Sequence, residues 1–221
     1  MKNKILFSFI VLAGMAVSSA MAQVLPSKQE TLKTLTLVNS YFMKKYADYT
    51  LPSKTDRVRP SNIWTRGVYY EGLMELYKIF PKEEYYQYAY GWSDFHKWGM
   101  RNGTTTRNAD DQCCGQTYID LYNICPTSPA MLKDIKACMD MLVNTPQVDD
   151  WTWIDAIQMG MPVLAKLGKL TGNTAYFDKM WDMYAYSRNT HGGGLFNLKD
   201  GLWWRDADFV APYKEPNGED C

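Results

Sequence analysis

Two indoles and one carboxylate lie within five residues of one another, at Trp151, Trp153 and Asp155. An apolar wall beside Asp155 would raise its pKa, because loss of water disfavours an ionised carboxylate. A carboxyl group tuned in this way can donate and accept a proton near neutral pH. Indole faces are also flat, rigid surfaces against which sugar rings pack. The segment therefore predicts acid–base chemistry on a carbohydrate; the alternative is a carboxylate at a helix N-terminus beside core indoles.

Two further segments combine acidic, aromatic and turn-forming residues. Asp110 and Asp111 stand at the start of a predicted helix, where they supply either a second carboxylate or an acidic helix N-terminus. Trp204 and Arg205 follow a predicted hairpin turn, and the guanidinium fork of Arg205 matches the carboxylate of an acidic sugar. The alternative for this segment is a hairpin whose indoles pack on the helices.

Other chemistries lack their sequence signatures. The chain has no P-loop, no Gly-x-Gly-x-x-Gly and no Gly-x-Ser-x-Gly, so nucleotide binding and serine hydrolysis are not predicted. The two histidines, His96 and His191, each lack the i,i+4 partner of a metal site. His96 lies in an aromatic helix, which favours a structural role. Neither a metal nor an organic cofactor is expected.

The N-terminus has the pattern of a secretory signal peptide. Lys2 and Lys4 precede a short apolar run, and Ala20 and Ala22 occupy the small-residue exit positions. We therefore expect residues 1–22 to be removed and the protein to be exported to the periplasm or the extracellular space. The remaining residues 23–221 carry 22 basic and 24 acidic residues, a balance that does not attract nucleic acid or an anionic membrane. No stable membrane anchor is expected.

Apolar residues at helical spacing predict seven helices and an all-α protein, with a loop at 51–61. The predicted helices cover residues 32–42, 63–80, 83–99, 114–124, 128–142, 154–167 and 177–184. Pro162 marks either a kink or the true start of its helix. A short hairpin with a Lys199-Asp200-Gly201 turn is expected within residues 191–205. An odd number of helices followed by a polar tail indicates part of a longer domain.

Five cysteines, at 113, 114, 125, 138 and 221, show no Cys-x-x-Cys spacing. They are interpreted as small buried hydrophobic residues. A Cys125–Cys138 disulfide, or another pairing, remains the alternative in an exported protein.

Four segments in series carry a family resemblance across the mature chain. They are Trp64 with Tyr69-Tyr70-Glu71-Gly72-Leu73, the run 108–122, Trp153-Ile154-Asp155 with Met159 and Pro162, and the run 201–206. In order and spacing they resemble the unsaturated glycuronyl hydrolases of glycoside hydrolase families 88 and 105, particularly the rhamnogalacturonyl branch. The resemblance implies an (α/α)6 barrel of helical hairpins, of which this chain would supply about seven helices.

The resemblance also implies a reaction and a set of site residues. Such enzymes hydrate the C4=C5 double bond of the uronyl residue that a polysaccharide lyase leaves on an oligosaccharide, plausibly one derived from pectin. By position, Asp155 is the general acid/base, Asp110 is its supporting carboxylate, and Asp111 takes that place if the register slips. The implied substrate contacts are Trp153, Met159, Arg205, Trp204, Tyr70 and Asp111. Two alternatives stay open: a non-catalytic glycan-binding helical protein, and another (α/α)6 glycosidase or lyase.

Overall fold

A computed structural model describes residues 25–210 and Pro212. The expected signal peptide, residues 1–22, and Cys221 lie outside the described residues. Within the described part of the chain, no helix is long and apolar enough to cross a bilayer. Contacts divide the chain into two units, Met1–Val38 and Asn39–Cys221.

The described part of the first unit is the beginning of helix α1 (Lys28–Lys45). Ser27 and Glu30 cap this helix reciprocally. The backbone N–H of Glu30 donates to Ser27 Oγ at 3.2 Å, and the backbone N–H of Ser27 donates to Glu30 Oε2 at 2.8 Å. This capping box satisfies N–H groups that would otherwise lack partners at the helix N-terminus.

The second unit contains the end of α1 and, in its described residues, seven more α-helices. These are α2 (Trp64–Ile79), α3 (Glu83–Phe95), α4 (Ala109–Gln112), α5 (Cys114–Ile124), α6 (Ala130–Val143), α7 (Ile154–Thr171) and α8 (Ala175–Asn189). Only the single turn α4 was not expected from periodicity. The all-α class is therefore confirmed.

Two short antiparallel strand pairs accompany the helices. The expected hairpin is confirmed: β3 (Phe196–Asn197) pairs with β4 (Leu202–Trp203), and Gly201 adopts a φ of +69° in the turn. The other pair, β1 (Ser53–Lys54) with β2 (Val58–Arg59), lies in the stretch predicted to be a loop.

Helices α2, α5 and α7 pack side by side and are called the central helices below. Each is followed in the chain by an antiparallel helix that packs against it, so that α3, α6 and α8 form a second layer. Fully buried side chains between the two layers include Leu73, Trp92, Tyr118, Ile135 and Leu164. The N-terminal ends of the central helices consequently lie at one end of the unit.

Helix α3 is shorter than predicted, because the backbone leaves the helical region at Lys97 and Trp98. Both residues have positive φ, 54° and 59°, and the helix ends at Phe95 rather than near Gly99. The turn buries the Trp98 indole against the rings of Tyr90 and Tyr118, with centroids 5.3 and 5.6 Å away. Burial of so large an aromatic surface offsets the cost of the left-handed backbone.

Pro162 lies inside α7, which begins eight residues earlier at Ile154. Proline has no N–H, so the carbonyl of Gln158, four residues before it, lacks its normal helical donor. Gln116 of α5 supplies the replacement, since its side-chain amide donates to the Gln158 carbonyl at 3.0 Å. The helix therefore continues through the proline with the help of its neighbour.

The alternative of a Cys125–Cys138 disulfide is wrong. Cys125 is exposed, Cys138 is buried, and both are free thiols. The Cys138 thiol instead donates to the carbonyl of Thr106 at 3.2 Å. Cys113 and Cys114 are also buried and free, as expected for small hydrophobic residues.

Candidate active site

Asp110 and Asp155 lie in the first turns of two helices that pack together, α4 and α7. The segments that lead into these helices are joined by Arg107, whose guanidinium donates to both carboxylate oxygens of Asp150 at 2.6 and 2.5 Å. Such a bidentate pair fixes orientation as well as distance. The structure thus brings the two predicted catalytic carboxylates to the same end of the second unit.

Asp110 has a raised pKa. It is half-buried, and burial is the largest cause of its raised pKa. The negative charges of Asp111 and Asp155 raise the pKa further, while Arg101 and Arg59 oppose them. Asp155 is therefore close enough to Asp110 for its charge to act there.

Asp155 has a different environment from the one expected. Its side chain is exposed, whereas Trp151 is fully buried. The indole of Trp151 packs under α7, close enough to Gly160 that a β-carbon there would stand 2.8 Å from its Nε1. Trp151 therefore serves the core, and the expected apolar wall does not cover Asp155 in the described part of the chain.

Asp111 is engaged by the protein itself. Its side chain is fully buried, with Arg101 Nε 2.7 Å from Oδ1. Asn102 and Thr106 donate to Oδ2 at 2.8 and 2.7 Å. This placement favours a role in shaping the loop before α4, although the predicted substrate contact stays a prediction.

The segment after the β3–β4 hairpin is bound to the start of α7. The backbone N–H of Ile154 donates to the Arg205 carbonyl at 2.8 Å, and Trp153 forms an antiparallel bridge with Asp206. The Ile154 N–H is one of those that a helix N-terminus leaves without an internal partner. Two sequence segments predicted to share a site are thereby brought into contact.

An open groove runs along this contact and is lined by Trp153, Arg205, His191, Asp206 and Asp208, among others. The Arg205 guanidinium is largely exposed and pairs with the Asp206 carboxylate. Trp153 is half-buried, so part of its indole faces solvent. Trp153 and Arg205 thus offer a flat surface and a cation in one groove, which suits an acidic sugar.

The other predicted contacts are less accessible. Met159 is 3% exposed, one turn along α7 from Asp155, and Tyr70 is 1% exposed. The Tyr70 ring stacks on Trp92 in the core, with centroids 4.0 Å apart. Trp204 is half-buried, and its backbone N–H donates to the Leu195 carbonyl at 2.8 Å. Packing roles account for the positions of Met159 and Tyr70, and their contact with substrate stays a prediction.

Two residues at this end of the unit were not predicted as site residues. His191 lies in the groove with Trp153, and three glycines with φ of 61°, 91° and 102° turn the chain immediately after it. Those consecutive glycines were the available signal, because they permit such a turn. Trp64, the first residue of α2, exposes 44% of its surface. Trp64 thus stands at the start of a central helix, as Trp153 stands directly before α7.

Comparison with known proteins places this geometry in a family. The model of Glycosyl Hydrolase Family 88 matches residues 34–221. A curated unsaturated 3S-rhamnoglycuronyl hydrolase from Formosa agariphila is 25% identical over 173 residues, which are 70% of this chain and 44% of the relative.

Solved structures show the same arrangement of helices. A glycosyl hydrolase family 88 protein from Bacteroides vulgatus superposes with a TM-score of 0.73 at 25% identity, over 88% of this chain and 56% of that one. A polysaccharide lyase gives a TM-score of 0.72 at 27% identity, over 87% and 54%. A family 105 glycoside hydrolase from C. acetobutylicum shares the fold at 18% identity, with a TM-score of 0.61.

The chain spans about half the length of these relatives, between 44% and 56%. The match nevertheless covers nearly all of its own length after residue 33. The family expected from the four sequence segments is confirmed: the chain belongs to glycosyl hydrolase family 88.

Proposed function

We propose that the protein hydrolyses oligosaccharides that end in an unsaturated uronyl residue, using Asp155 and Asp110. The observation that carries the proposal is the pairing of two carboxylates at adjoining helix N-termini, one of them with a raised pKa. Two neighbouring carboxylates repel each other, so the pair keeps one proton to a higher pH, and that proton is available for general acid catalysis. The name of the Formosa agariphila relative, an unsaturated 3S-rhamnoglycuronyl hydrolase, supports the same substrate class.

The proposed reaction is a hydration. A carboxylic acid donates a proton to C4 of the vinyl ether, and water adds at C5 after losing its proton to a carboxylate. The resulting hemiketal opens and releases the neighbouring sugar. Asp155 is exposed and stands two residues after Trp153 of the groove, so it is the group placed to reach the double bond. Asp155 gives its proton to C4 and, once ionised, takes a proton from the incoming water, while Asp110 is its supporting carboxylate.

The groove residues hold the unsaturated ring in this proposal. The guanidinium of Arg205 binds the uronate carboxylate, which displaces Asp206 from the exposed ion pair. The Trp153 indole packs against the sugar ring. Export with removal of residues 1–22 belongs to the same proposal, since lyase products of large polysaccharides form outside the cytoplasm.

Replacement of Asp155 tests the assignment. Asp155→Asn is expected to lower kcat/KM at least about 100-fold, because general acid–base catalysis contributes about 10² to 10⁴. The assay follows the ultraviolet absorbance of a lyase-generated disaccharide, which falls as the C4=C5 bond is consumed. Asp149→Asn changes an exposed carboxylate six residues earlier and serves as the matched control. A folded Asp155→Asn variant with full activity would contradict the proposal.

A lyase reaction is the second candidate, because a polysaccharide lyase is among the structures with the same fold at 27% identity. Ultraviolet absorbance separates the two, since a lyase raises it by creating C4=C5 bonds in a saturated polymer, whereas the hydrolase lowers it on the unsaturated disaccharide. A glycan-binding protein without catalysis would change it in neither direction.

A further inference from the structure

A second cavity lies away from the Trp153–Arg205 groove, between the C-terminal end of α1, the first turn of α2, and α3. Its volume is about 380 Å³, within the range of small-ligand pockets. Cations and aromatic rings dominate its lining, which includes Lys45, Tyr46, Tyr49, Lys54, Arg66 and Tyr70. Tyr70, one of the predicted substrate contacts, is therefore placed at this cavity rather than at the groove.

Arg66 is the central group of this cavity because it has no carboxylate partner. Five of the seven arginines lie within 4.0 Å of a carboxylate, whereas Arg66 and Arg188 have none among the described residues, and only Arg66 lines this cavity. Its side chain is half-buried. A guanidinium in such a position normally pairs with an anion, since a charge withdrawn from water is costly without one.

The aromatic neighbours of Arg66 orient its donors. The guanidinium carbon lies 3.5 Å from the centroid of the Tyr46 ring and 5.3 Å from that of Phe42. A hydrogen bond with the Arg66 side chain lowers the pKa of the Tyr46 hydroxyl. The guanidinium carries five N–H donors, so others remain for an anion. Two parallel N–H groups in one plane match the two oxygens of a carboxylate.

The surrounding charges favour an anion. Lys45 and Lys54 line the cavity and have no carboxylate within 4.0 Å among the described residues. Asp48 also lines it, but its Oδ1 accepts from the backbone N–H and the hydroxyl of Thr50 at 2.9 and 2.5 Å. The lining thus contains three cations and one carboxylate that is engaged with its own turn.

The rings around the cavity suit a sugar. Tyr46 and Tyr49 are half-buried and expose part of their faces, while Tyr70 and Trp92 form a stacked floor. The hydroxyl of Tyr88 donates to the Tyr46 carbonyl at 2.6 Å and so holds the residue that stacks on Arg66. A rigid aromatic wall beside a cationic fork is complementary to a ring that bears a carboxylate.

We propose that this cavity is a second binding site for an acidic sugar, in which Arg66 binds the uronate carboxylate and Tyr46 and Tyr49 contact the ring. The anion site follows from the cavity itself, whereas the choice of a uronate rests on the proposed function. An acidic oligosaccharide or polymer bound in this cavity would stay attached to the protein whether or not the Trp153–Arg205 groove is occupied.

Isothermal titration calorimetry of the full chain with D-galacturonate tests this site. The sugar is saturated and cannot be turned over by hydration of a double bond, so binding is measured apart from catalysis. Arg66→Met and Arg66→Lys should each weaken binding about tenfold or more, because a bidentate charge-assisted pair is worth about 1.5–3 kcal/mol. Arg66→Lys keeps the charge and the aliphatic stem, which guards against a misfolded variant. Arg57→Met, at an arginine whose side chain is 73% exposed, should change nothing.

The remaining arms separate this proposal from the hydrolytic one. Neutral D-galactose and acetate alone should each bind at least about tenfold more weakly than galacturonate, since each lacks one half of the recognised group. Asp155→Asn should keep the galacturonate affinity even where turnover is lost. Equal binding by wild type and a folded Arg66→Lys variant would overturn the second site. Loss of binding in Arg205→Met instead would place the sugar in the groove and overturn it as well.

Discussion

Asp110, Asp111 and Asp155 are three carboxylates within one end of the unit, and their neighbours give them different capacities. Asp111 holds Arg101, Asn102 and Thr106 in place, so its charge organises a loop. Asp110 is half-buried beside two negative charges, and its pKa is raised. Asp155 is exposed and free to meet a substrate. In the proposed reaction, Asp155 therefore reaches the substrate and Asp110 supports it as a neighbouring carboxylate.

Burial changes the pKa of the base His96 in the opposite direction to that of Asp110. Burial lowers its pKa to about 4, and its Nε2 lies 2.7 Å from the Ser61 hydroxyl. In the unfolded chain the imidazole has a pKa of about 6.5, so between these values the unfolded state binds more protons. Stability contributed by His96 is therefore complete above about pH 6.5 and is lost as the pH falls towards 4.

We expect His96→Gln to reduce this loss of stability at acid pH. At pH 7.5 the variant should be less stable than wild type by about 1 kcal/mol, because it perturbs the hydrogen bond to Ser61. At pH 4.5 the difference should shrink or reverse, since glutamine does not take up a proton. Urea unfolding at both pH values measures the two free energies. Parallel pH profiles for the two proteins would show that His96 does not titrate as inferred.

At the residue scale, the types of side chain were predictable and their exposure was not. The spacing of Trp151, Trp153 and Asp155 indicated a carboxylate against an indole wall, yet Trp151 turned inward. Which side chains are buried at the start of a helix depends on where the neighbouring helix packs. The position of that neighbour cannot be read from a single sequence. Arg66 was not predicted as a binding residue for the same reason. Only the fold shows that its guanidinium packs against the Tyr46 ring and has no carboxylate partner among the described residues.

At the scale of elements, periodicity was a sufficient guide to the seven longer helices, whereas their ends were set by tertiary contacts. Helix α3 ends early because Trp98 is drawn into the core between Tyr90 and Tyr118. Helix α7 continues through Pro162 because Gln116 satisfies the exposed carbonyl of Gln158. Tyr118 lies 20 residues from Trp98, and Gln116 lies 42 residues from Gln158, so neither contact can be read from a local pattern.

Close packing of α7 on α4 depends on Gly160. A β-carbon there would stand 2.8 Å from Trp151 Nε1 and 3.3 Å from Gln112 Oε1, and both side chains are fully buried. Gly160→Ala should therefore cost about 1–3 kcal/mol, as overpacking of a core does. Gly72 in α2 has no atom within 4 Å of an added β-carbon, so Gly72→Ala should instead stabilise by about 0.4–1 kcal/mol. Chemical denaturation of the pair compares the two, and a shared sign would contradict this account of the contact.

At the scale of the whole molecule, one buried carboxylate joins the three central helices. Asp120 of α5 is 6% exposed; Lys166 of α7 donates to it at 2.7 Å, and Lys78 of α2 lies 3.9 Å away. The polar residues Glu71, Gln116 and Gln158 extend this connection towards the site, with Gln158 donating to Glu71 at 2.7 Å. The central helices thus meet through polar contacts as well as through the apolar layer.

Asp120→Asn tests whether this connection matters to the molecule as a unit. Removing the charge leaves two lysines without their shared partner, and breaking a buried pair costs about 3–5 kcal/mol. The lysine side chains are 23% and 48% exposed, so water screens them and the expected cost falls to about 1–2 kcal/mol. That loss corresponds to a fall in Tm of about 2–8 °C for a chain of this length.

Asp94→Asn, which removes an exposed partner of Lys97, is the control and should change stability by less than about 0.5 kcal/mol. Equal Tm values for the two variants in thermal unfolding would mean that the apolar layer alone holds the central helices together.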